Sequence, residues 1–134
     1  MLGSGAVIVM NDTRCMVKSL LRLSYFYHEE SCGQCTPCRQ GMGWMERILN
    51  RIVAGGGRPE DIDQLYKIAD ANDGTTICSL GDSAGYACSA ILDHYRDEFE
   101  YYIQHGRSMY DGNLTVEDPF ADSPFANSLA GAAS

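Results

Sequence analysis

The sequence lacks both a long apolar stretch and an excess of basic residues. Its longest strongly apolar run, residues 6–10, is far too short to cross a bilayer, so direct membrane insertion is not expected. No basic segment precedes a long apolar stretch, and no signal peptide is therefore predicted. The 134 residues include 10 Lys and Arg against 18 Asp and Glu, a net charge of −8. This acidic balance argues against nucleic acid as a partner, because phosphates attract basic surfaces.

Cysteine is too sparse for a disulfide framework. The chain has 6 cysteines, a share well below the roughly 8–10% that is typical of disulfide scaffolds. No internal repeat is visible, and no alternation of strands and helices surrounds the cysteines, so a thioredoxin-like redox pair is not predicted. Closely spaced free thiols need a reducing compartment or a bound metal. We expect one intracellular domain, for which a hydrophobic content of 45% supplies a core.

Four of the cysteines have the spacing of a metal-cluster site. Cys32, Cys35 and Cys38 are each separated by two residues, and Cys78 lies farther along the chain. A tight loop of this kind directs three sulfurs at one small volume, and a remote cysteine completes the set, as in [4Fe–4S] proteins. Structural zinc sites more often use two separate pairs of cysteines. The spacing therefore favours an iron–sulfur cluster and leaves a four-cysteine zinc site as an alternative.

Other residues near these motifs are given structural roles. Cys15 and Cys88 are interpreted as buried thiols, with Cys88 as a secondary candidate ligand. His28, four residues before Cys32, is an alternative candidate ligand. It is expected instead at the surface or behind the ligands, because four cysteines already complete a site. Arg39, next to a candidate ligand, is the residue expected to place positive charge near the cluster.

Helical periodicity predicts four helices. The first starts at Asp12 or Thr13 and ends near residue 29, and the second covers about residues 37–53. Thr36 is predicted as the N-cap of the second helix, with proline at its first position. The third opens at residues 59–61, and the fourth extends from Asp82 or Ser83 to about residue 104, with Gly106 as its stop.

Each helix has a predicted buried face. The second contributes a stripe of five apolar residues: Met42, Met45, Ile48, Leu49 and Ile52. The fourth contributes Ala87, Ile91, Leu92, Tyr95, Phe99 and Ile103. Its charged residues are expected on a solvated outer face: Asp93, Arg96, Asp97, Glu98 and Glu100. Trp44 is expected either in the core or at an interface.

Composition divides the chain into three parts. Residues 1–11 read as a short buried strand, which is unstable without partner strands. Residues 12–106 form the helical domain. Residues 107–134 are rich in Asp, Pro, Ser, Gly, Asn and Ala, and they are predicted to be extended or partly disordered.

The cysteine motifs resemble a known family. The run Glu-Ser-Cys-Gly-Gln-Cys-Thr-Pro-Cys-Arg at residues 30–39 and the run Ile-Cys-Ser-Leu-Gly-Asp at residues 77–82 are similar to the NADH-binding flavoprotein subunit of respiratory complex I, the NADH:quinone oxidoreductase. Residues 3–9 and 94–96 match the family as well, and the resemblance covers about residues 1–105.

The resemblance implies an all-α fold, a four-helix bundle carrying an iron–sulfur cluster. Cys32, Cys35, Cys38 and Cys78 match the family positions that hold a [4Fe–4S] cluster, which accepts electrons from the flavin. Residues 1–11 match the last strand of a ubiquitin-like domain that precedes the bundle. FMN and NADH bind to an upstream region that this chain lacks, so the chain alone is not expected to be catalytic.

The resemblance also implies partners and a location. The expected partners are a thioredoxin-like [2Fe–2S] subunit, a large iron–sulfur subunit and the FMN- and NADH-binding half of the flavoprotein. The expected location is a peripheral arm on the cytoplasmic side of the inner membrane, or the matrix side in a mitochondrion.

Two alternatives stay open at this point. The first is the same domain in an NAD-linked hydrogenase or formate dehydrogenase. The absence of ferredoxin-like cysteine clusters after Cys88 favours complex I over it. The second is a helical interaction module stabilised by zinc on the four cysteines.

Overall fold

Helices make up most of the described backbone. A computed structural model describes residues 5–110 and gives four α-helices in the order α1 Met16–Glu30, α2 Thr36–Arg51, α3 Glu60–Asn72 and α4 Ser79–His105. A π-helical turn, Ile52–Gly56, extends α2 before the chain enters α3. Residues 5–110 contain no strand. The prediction of an all-α fold with four helices is confirmed.

The opening residues do not form the predicted strand where the structure describes them. Residues 5–10 have no regular secondary structure, and the apolar side chains of Val7, Ile8 and Val9 are exposed. An isolated strand has nothing to pair with, which explains the lack of regular structure. Residues 1–4 and most of the predicted tail, residues 111–134, lie outside the described residues. The assignment of residues 1–11 to an upstream domain stays a prediction.

The core lies between the four helices, on the faces that the periodicity predicted. All five residues of the α2 stripe are buried, and α4 contributes Leu92 and Phe99. The main cluster of buried residues draws on every helix: Val17, Leu20, Leu21, Met45, Ile48, Leu49, Ile52, Ile62, Leu65, Ala69, Cys88, Leu92, Phe99 and Tyr102. The methionines of α2 therefore act as core residues.

A glycine permits the close crossing of α3 and α4. A Cβ atom on Gly85 would lie 2.7 Å from the carbonyl oxygen of Ala69, closer than real contacts allow. The backbones of the two helices touch at this point, which sets the depth at which α4 packs and hence the position of its N-terminus.

The helix starts differ from the predictions by a few residues. Cys35, rather than Thr36, is the N-cap of α2, and Thr36 is already helical. Cys78 is the N-cap of α4, so this helix begins three residues before the predicted Asp82. Gly106 ends α4 with a left-handed backbone (φ 67°), as predicted. Two of the four candidate ligands thus stand at helix N-termini.

Two predictions for α4 were wrong. Tyr95, expected inside, is 39% exposed, and its backbone is non-helical (φ −131°, ψ 30°) at a kink in the helix. Glu98, expected on the solvated face, is only 5% exposed. Its carboxylate accepts a hydrogen bond from the backbone N–H of Met16 at 2.9 Å. Glu98 therefore caps the N-terminus of α1 from another helix, at a place where the N-cap residue Cys15 makes no side-chain cap.

Candidate iron–sulfur site

One cavity brings the four predicted ligand residues together. Its volume is about 100 Å³, and its lining consists of Cys32, Cys35, Cys38 and Cys78 together with Glu30, Thr76 and Leu80. The first three cysteines come from the loop between α1 and α2 and from the first turn of α2, and the fourth comes from the end of the loop between α3 and α4. Two segments distant in sequence thus meet at one volume.

The loop that carries the cysteine triplet is fixed by its own residues. Gly33 adopts φ 77°, a left-handed conformation that favours glycine and turns the chain between the first two cysteines. The guanidinium of Arg39 donates a hydrogen bond to the carbonyl oxygen of Gly33 at 2.7 Å. Arg39 does not line the cavity. In the structure, Arg39 stabilises the loop through its hydrogen bond to Gly33.

The N-termini of α2 and α4 both begin at cavity-lining cysteines. Cys35 and Cys78 are the N-cap residues, and neither makes a side-chain capping hydrogen bond. The first N–H groups of a helix have no intrahelical acceptor, and the N-terminus has a partial positive charge. Two such ends at one cavity favour an anionic occupant such as a thiolate-bound cluster.

Hydrogen-bond donors lie next to two of the sulfurs. The backbone N–H of Ile77 donates to Sγ of Cys35 at 3.3 Å, and it joins the two loops directly. Oγ of Ser31 lies 3.1 Å from Sγ of Cys38. A cysteine thiolate only accepts, so the serine hydroxyl is the donor once Cys38 is deprotonated. Sequence reasoning missed both groups; the only available signal was that each is next to a candidate ligand.

The remote loop is held against the first turn of α4. Thr76 Oγ1 donates a hydrogen bond to the carbonyl oxygen of Cys78 at 2.9 Å. A Cβ atom on Gly81 would lie 2.6 Å from Cγ2 and 2.7 Å from Oγ1 of Thr76. The loop therefore occupies the space that a side chain at position 81 would need, and this contact fixes where Cys78 stands.

The cavity is open on one side. Cys38 is buried and Cys35 is half-buried, whereas Cys32 and Cys78 are exposed. Ile77, next to Cys78, has 84% of its surface exposed. An occupant of the cavity would therefore be shielded by α2 on one side and accessible on the other.

The remaining candidates lie elsewhere. Cys88 is fully buried in the core, and burial raises the pKa of its thiol to about 12. His28 pairs through Nδ1 with a carboxylate oxygen of Glu46 at 2.6 Å. Cys15 is half-buried at the start of α1. None of the three lines the cavity.

The donor set and the cavity suit a group larger than a single ion. In the part of the chain that the structure describes, no three His, Cys, Asp or Glu side chains lie close enough to hold one metal ion. The four cysteines instead surround a cavity with room for several atoms. A cubane matches this arrangement, because each thiolate binds a different iron atom.

The fold and the cavity define an iron–sulfur-binding helical domain. The family described as the NADH-ubiquinone oxidoreductase-F iron–sulfur binding region matches residues 18–102. The chain belongs to this family.

Subunits of NADH dehydrogenases in other organisms are similar to most of the chain. The F subunit of NADH-quinone oxidoreductase of Rickettsia bellii is 46% identical over 103 residues, which are 77% of this chain and 25% of the relative. NADH dehydrogenase [ubiquinone] flavoprotein 1, mitochondrial, of Dictyostelium discoideum is 48% identical over 77% of this chain and 22% of its own length. The chain thus spans about a quarter of the relatives that it matches.

A solved structure has the same fold. One chain of an NAD+-reducing [NiFe]-hydrogenase in the H2-reduced state superposes with a TM-score of 0.68 at 30% sequence identity. The match covers 72% of this chain and 17% of the hydrogenase chain.

Proposed function

We propose that the chain is the electron-relay domain of an NADH:quinone oxidoreductase flavoprotein subunit. In this proposal Cys32, Cys35, Cys38 and Cys78 are the ligands of a [4Fe–4S] cluster. One observation carries the proposal: cysteines from two distant loops line a single cavity at two helix N-termini. When bound, the cluster supplies one-electron oxidation and reduction.

The chain's own residues would then hold and tune the cluster. The thiolates provide ligation, the N–H of Ile77 and the hydroxyl of Ser31 donate to coordinated sulfur, and the helix ends offset negative charge. Electron relay at the cluster requires no general acid or base.

The flavin chemistry belongs to other parts of the enzyme in this proposal. FMN and NADH would bind to an N-terminal half or a partner, and electrons would leave toward a thioredoxin-like [2Fe–2S] subunit and a large iron–sulfur subunit. Within residues 5–110, no helix is long and apolar enough to cross a membrane. We place the domain in a peripheral arm, on the cytoplasmic side of the inner membrane or the matrix side of a mitochondrion.

The structural neighbour supports a second candidate. The 0.68 TM-score with a hydrogenase chain makes the same relay in an NAD-linked hydrogenase the alternative enzyme. Co-purification distinguishes the two: quinone-reductase subunits would accompany the chain in one case and hydrogenase subunits in the other. A zinc-stabilised interaction module is the third candidate, and metal analysis separates it from both.

Two cysteine variants test the ligand set. Cys35→Ala removes a cavity thiol and is expected to abolish the EPR signal of the reduced cluster in anaerobically purified protein. Cys88→Ala is the matched control, because it removes a buried thiol that does not line the cavity. Its signal should be unchanged. An intact signal in Cys35→Ala would remove that residue from the ligand set.

A further inference from the structure

A groove between α2 and α3 shares no lining residue with the four-cysteine cavity. Its volume is about 430 Å³, and its lining includes Trp44, Arg47 and Arg51 from α2, Lys67 from α3, and two isoleucines. Three of the lining side chains are cationic and none is acidic, although the whole chain has a net charge of −8. The groove is a basic surface on an acidic protein.

Two of its cations are free to bind a carboxylate. Arg47 and Lys67 are exposed, and neither has a hydrogen-bond or ion-pair partner among residues 5–110. One cation comes from each helix, so a segment that lies along the groove passes between them. A charge pair is stronger where apolar surface replaces part of the surrounding water. The groove therefore favours an occupant with at least two carboxylates.

The third cation, Arg51, is fixed in place before any occupant binds. Its Nε donates a hydrogen bond to one carboxylate oxygen of Asp61 at 3.1 Å, and its Nη2 donates to the other oxygen. Asp61 is buried and also accepts a hydrogen bond from the backbone N–H of Arg58 at 2.9 Å. Because the guanidinium is already ordered, a contact with it costs little conformational entropy.

Trp44 gives the groove an apolar contact surface. Half of its side chain is exposed at 50%, beside the cations. Tryptophan and arginine are the residue types that most often supply the binding energy of protein interfaces. An exposed indole flanked by cations suits a segment that carries a large apolar side chain next to its acids.

We propose that this groove docks an acidic segment of a neighbouring subunit. Two carboxylates of the segment pair with Arg47 and Lys67, and one large apolar side chain packs on Trp44. The proposal rests on the proposed function, which makes the chain one part of an enzyme with several subunits. A nucleic acid fits less well, because a net charge of −8 repels a long polyanion and the groove offers few phosphate contacts.

The dimensions of the groove suit a short segment. From Trp44 to Arg51 it follows seven positions of α2, a distance of about 10 Å. Three extended residues, or about two turns of a helix, cover that length. A contact of this size is weak by itself and adds to a larger interface elsewhere.

The first experiment uses the peptide Asp-Glu-Leu-Phe-Glu-Glu-amide and the full chain purified with its cluster. Fluorescence anisotropy of a dye-labelled copy measures binding. Acrylamide quenching of Trp44, the chain's only tryptophan, locates the unlabelled copy. The bound peptide is expected to lower the quenching constant about twofold, because it keeps water from the indole. Raising salt from about 0.05 M to about 0.5 M should weaken binding about tenfold.

Paired variants test the charges. Arg47→Glu with Lys67→Glu should weaken peptide binding more than about tenfold, because attraction becomes repulsion. Arg14→Glu with Arg107→Glu is the matched control. It changes the net charge equally at two exposed residues outside the groove, and binding should stay the same.

Paired peptides test the occupant. Asn-Gln-Leu-Phe-Gln-Gln-amide lacks the carboxylates, and Asp-Glu-Ala-Ala-Glu-Glu-amide lacks the apolar side chains. Both should bind more weakly than the first peptide. An equal affinity of all three peptides would contradict the proposal, since neither feature would then be recognised.

A second experiment uses the assembled enzyme. The chain with Arg47→Glu and Lys67→Glu should retain less of the neighbouring subunits after purification than the Arg14→Glu, Arg107→Glu control, with equal iron content. Equal retention by the two variants would contradict the docking site alone. Loss of all subunits from the unmodified chain would instead contradict the proposed function, and the peptide measurements would still decide the role of the groove.

Three further results would overturn the proposal. Absence of peptide binding at low salt would show that the groove does not recognise acidic segments. Tighter binding of a twelve-residue oligothymidylate than of the peptide, lost in the Arg47→Glu, Lys67→Glu variant, would assign the groove to nucleic acid. Protection of Trp44 that rises with protein concentration in the absence of peptide would assign it to a second copy of the chain.

Discussion

Ser31 and Ile77 each place a hydrogen-bond donor beside a sulfur of the cavity. The hydroxyl of Ser31 is 3.1 Å from Sγ of Cys38, and the N–H of Ile77 is 3.3 Å from Sγ of Cys35. Hydrogen bonds to thiolate sulfur stabilise the more negative, reduced state of an iron–sulfur cluster. At the scale of single residues, these two donors are the expected means by which this chain sets the reduction potential.

The serine can be removed without removing a ligand. Ser31→Ala is expected to leave cluster content unchanged and to lower the midpoint potential, because the reduced state loses a donor. The shift should be on the order of tens of millivolts, since charge-assisted hydrogen bonds are worth a few kcal/mol and only the difference between redox states counts. An EPR-monitored redox titration measures it.

Ser19→Ala is the matched control for this variant. The Ser19 hydroxyl donates a hydrogen bond to the carbonyl oxygen of Cys15 at 3.1 Å, at the start of α1, and Ser19 does not line the cavity. Its potential should equal that of the unmodified chain. A Ser31→Ala potential equal to the control would contradict the role given to the hydroxyl.

Glu98 makes stability depend on pH. Burial raises the pKa of Glu98 above its ordinary value of 4.5, against the opposing effect of the Met16 hydrogen bond. The folded chain therefore binds this proton more tightly than the unfolded chain, and the free energy of unfolding falls as pH rises from 4.5 through the raised pKa. Glutamine keeps an oxygen acceptor but does not titrate. In the Glu98→Gln variant, the free energy of unfolding should therefore not show the decrease with pH that Glu98 causes. Urea unfolding of both chains over a pH series measures the difference.

The alanine variant separates capping from titration. Glu98→Ala leaves the Met16 N–H without its side-chain acceptor and is expected to lose about 1–2 kcal/mol of unfolding free energy. Glu98→Gln should lose less. If the free energy of unfolding changes with pH in the same way for the unmodified chain and for Glu98→Gln, the Glu98 carboxylate does not titrate in this range.

Glu98 also shows a limit of sequence reasoning for single residues. It lies among charged neighbours, so a local pattern places it on a solvated face. Its burial depends on α1, whose first N–H group is 82 positions away in sequence. By contrast, the burial of Cys88 was predicted, because a free cysteine usually behaves as a small buried apolar residue.

At the scale of elements, the loop that ends in Cys78 depends on the first turn of α4. Gly81→Ala would place a methyl group 2.6 Å from Cγ2 of Thr76 and push the loop away. Because Cys78 belongs to that loop, we expect lower iron content per chain with nearly unchanged helix content. Iron analysis and far-UV circular dichroism measure the two quantities.

A second substitution, at Thr76, tests whether the steric clash causes the loss of iron. Thr76→Ala removes Cγ2 and Oγ1, the two atoms within 3.0 Å of the new methyl group, and leaves only the Thr76 Cβ atom at 3.1 Å. Gly81→Ala combined with Thr76→Ala should therefore recover much of the iron. Thr76→Ala alone serves as the control, because it loses only the hydrogen bond to Cys78. Failure of the double variant to recover iron would show that the clash is not the cause.

The helices themselves were largely predictable. Apolar periodicity placed all four, and Gly106 marked the end of α4. The predicted starts of α2 and α4 were less accurate. They were placed at Thr36 and Asp82, because threonine and aspartate are better capping residues than cysteine. Cys35 and Cys78 hold those positions instead, where the two loops meet at the cavity. The kink at Tyr95 and the π-helical turn after α2 have no clear signal in the sequence.

At the scale of the whole molecule, the cavity exists because α2 and α4 present their N-termini side by side. The α4 start is positioned through its close crossing with α3 at Gly85, and the α2 start through the core stripe of its own helix. The cysteine spacing predicted which residues meet. It could not predict that two helix N-termini meet with them, because that depends on the packing of the entire bundle.

Metal and sulfide analysis of the anaerobically purified full chain tests the central claim most directly. Four thiolates around one cubane predict about four irons and about four labile sulfides per chain, together with visible charge-transfer absorption. One zinc per chain, with no labile sulfide and no visible absorption, would contradict the account.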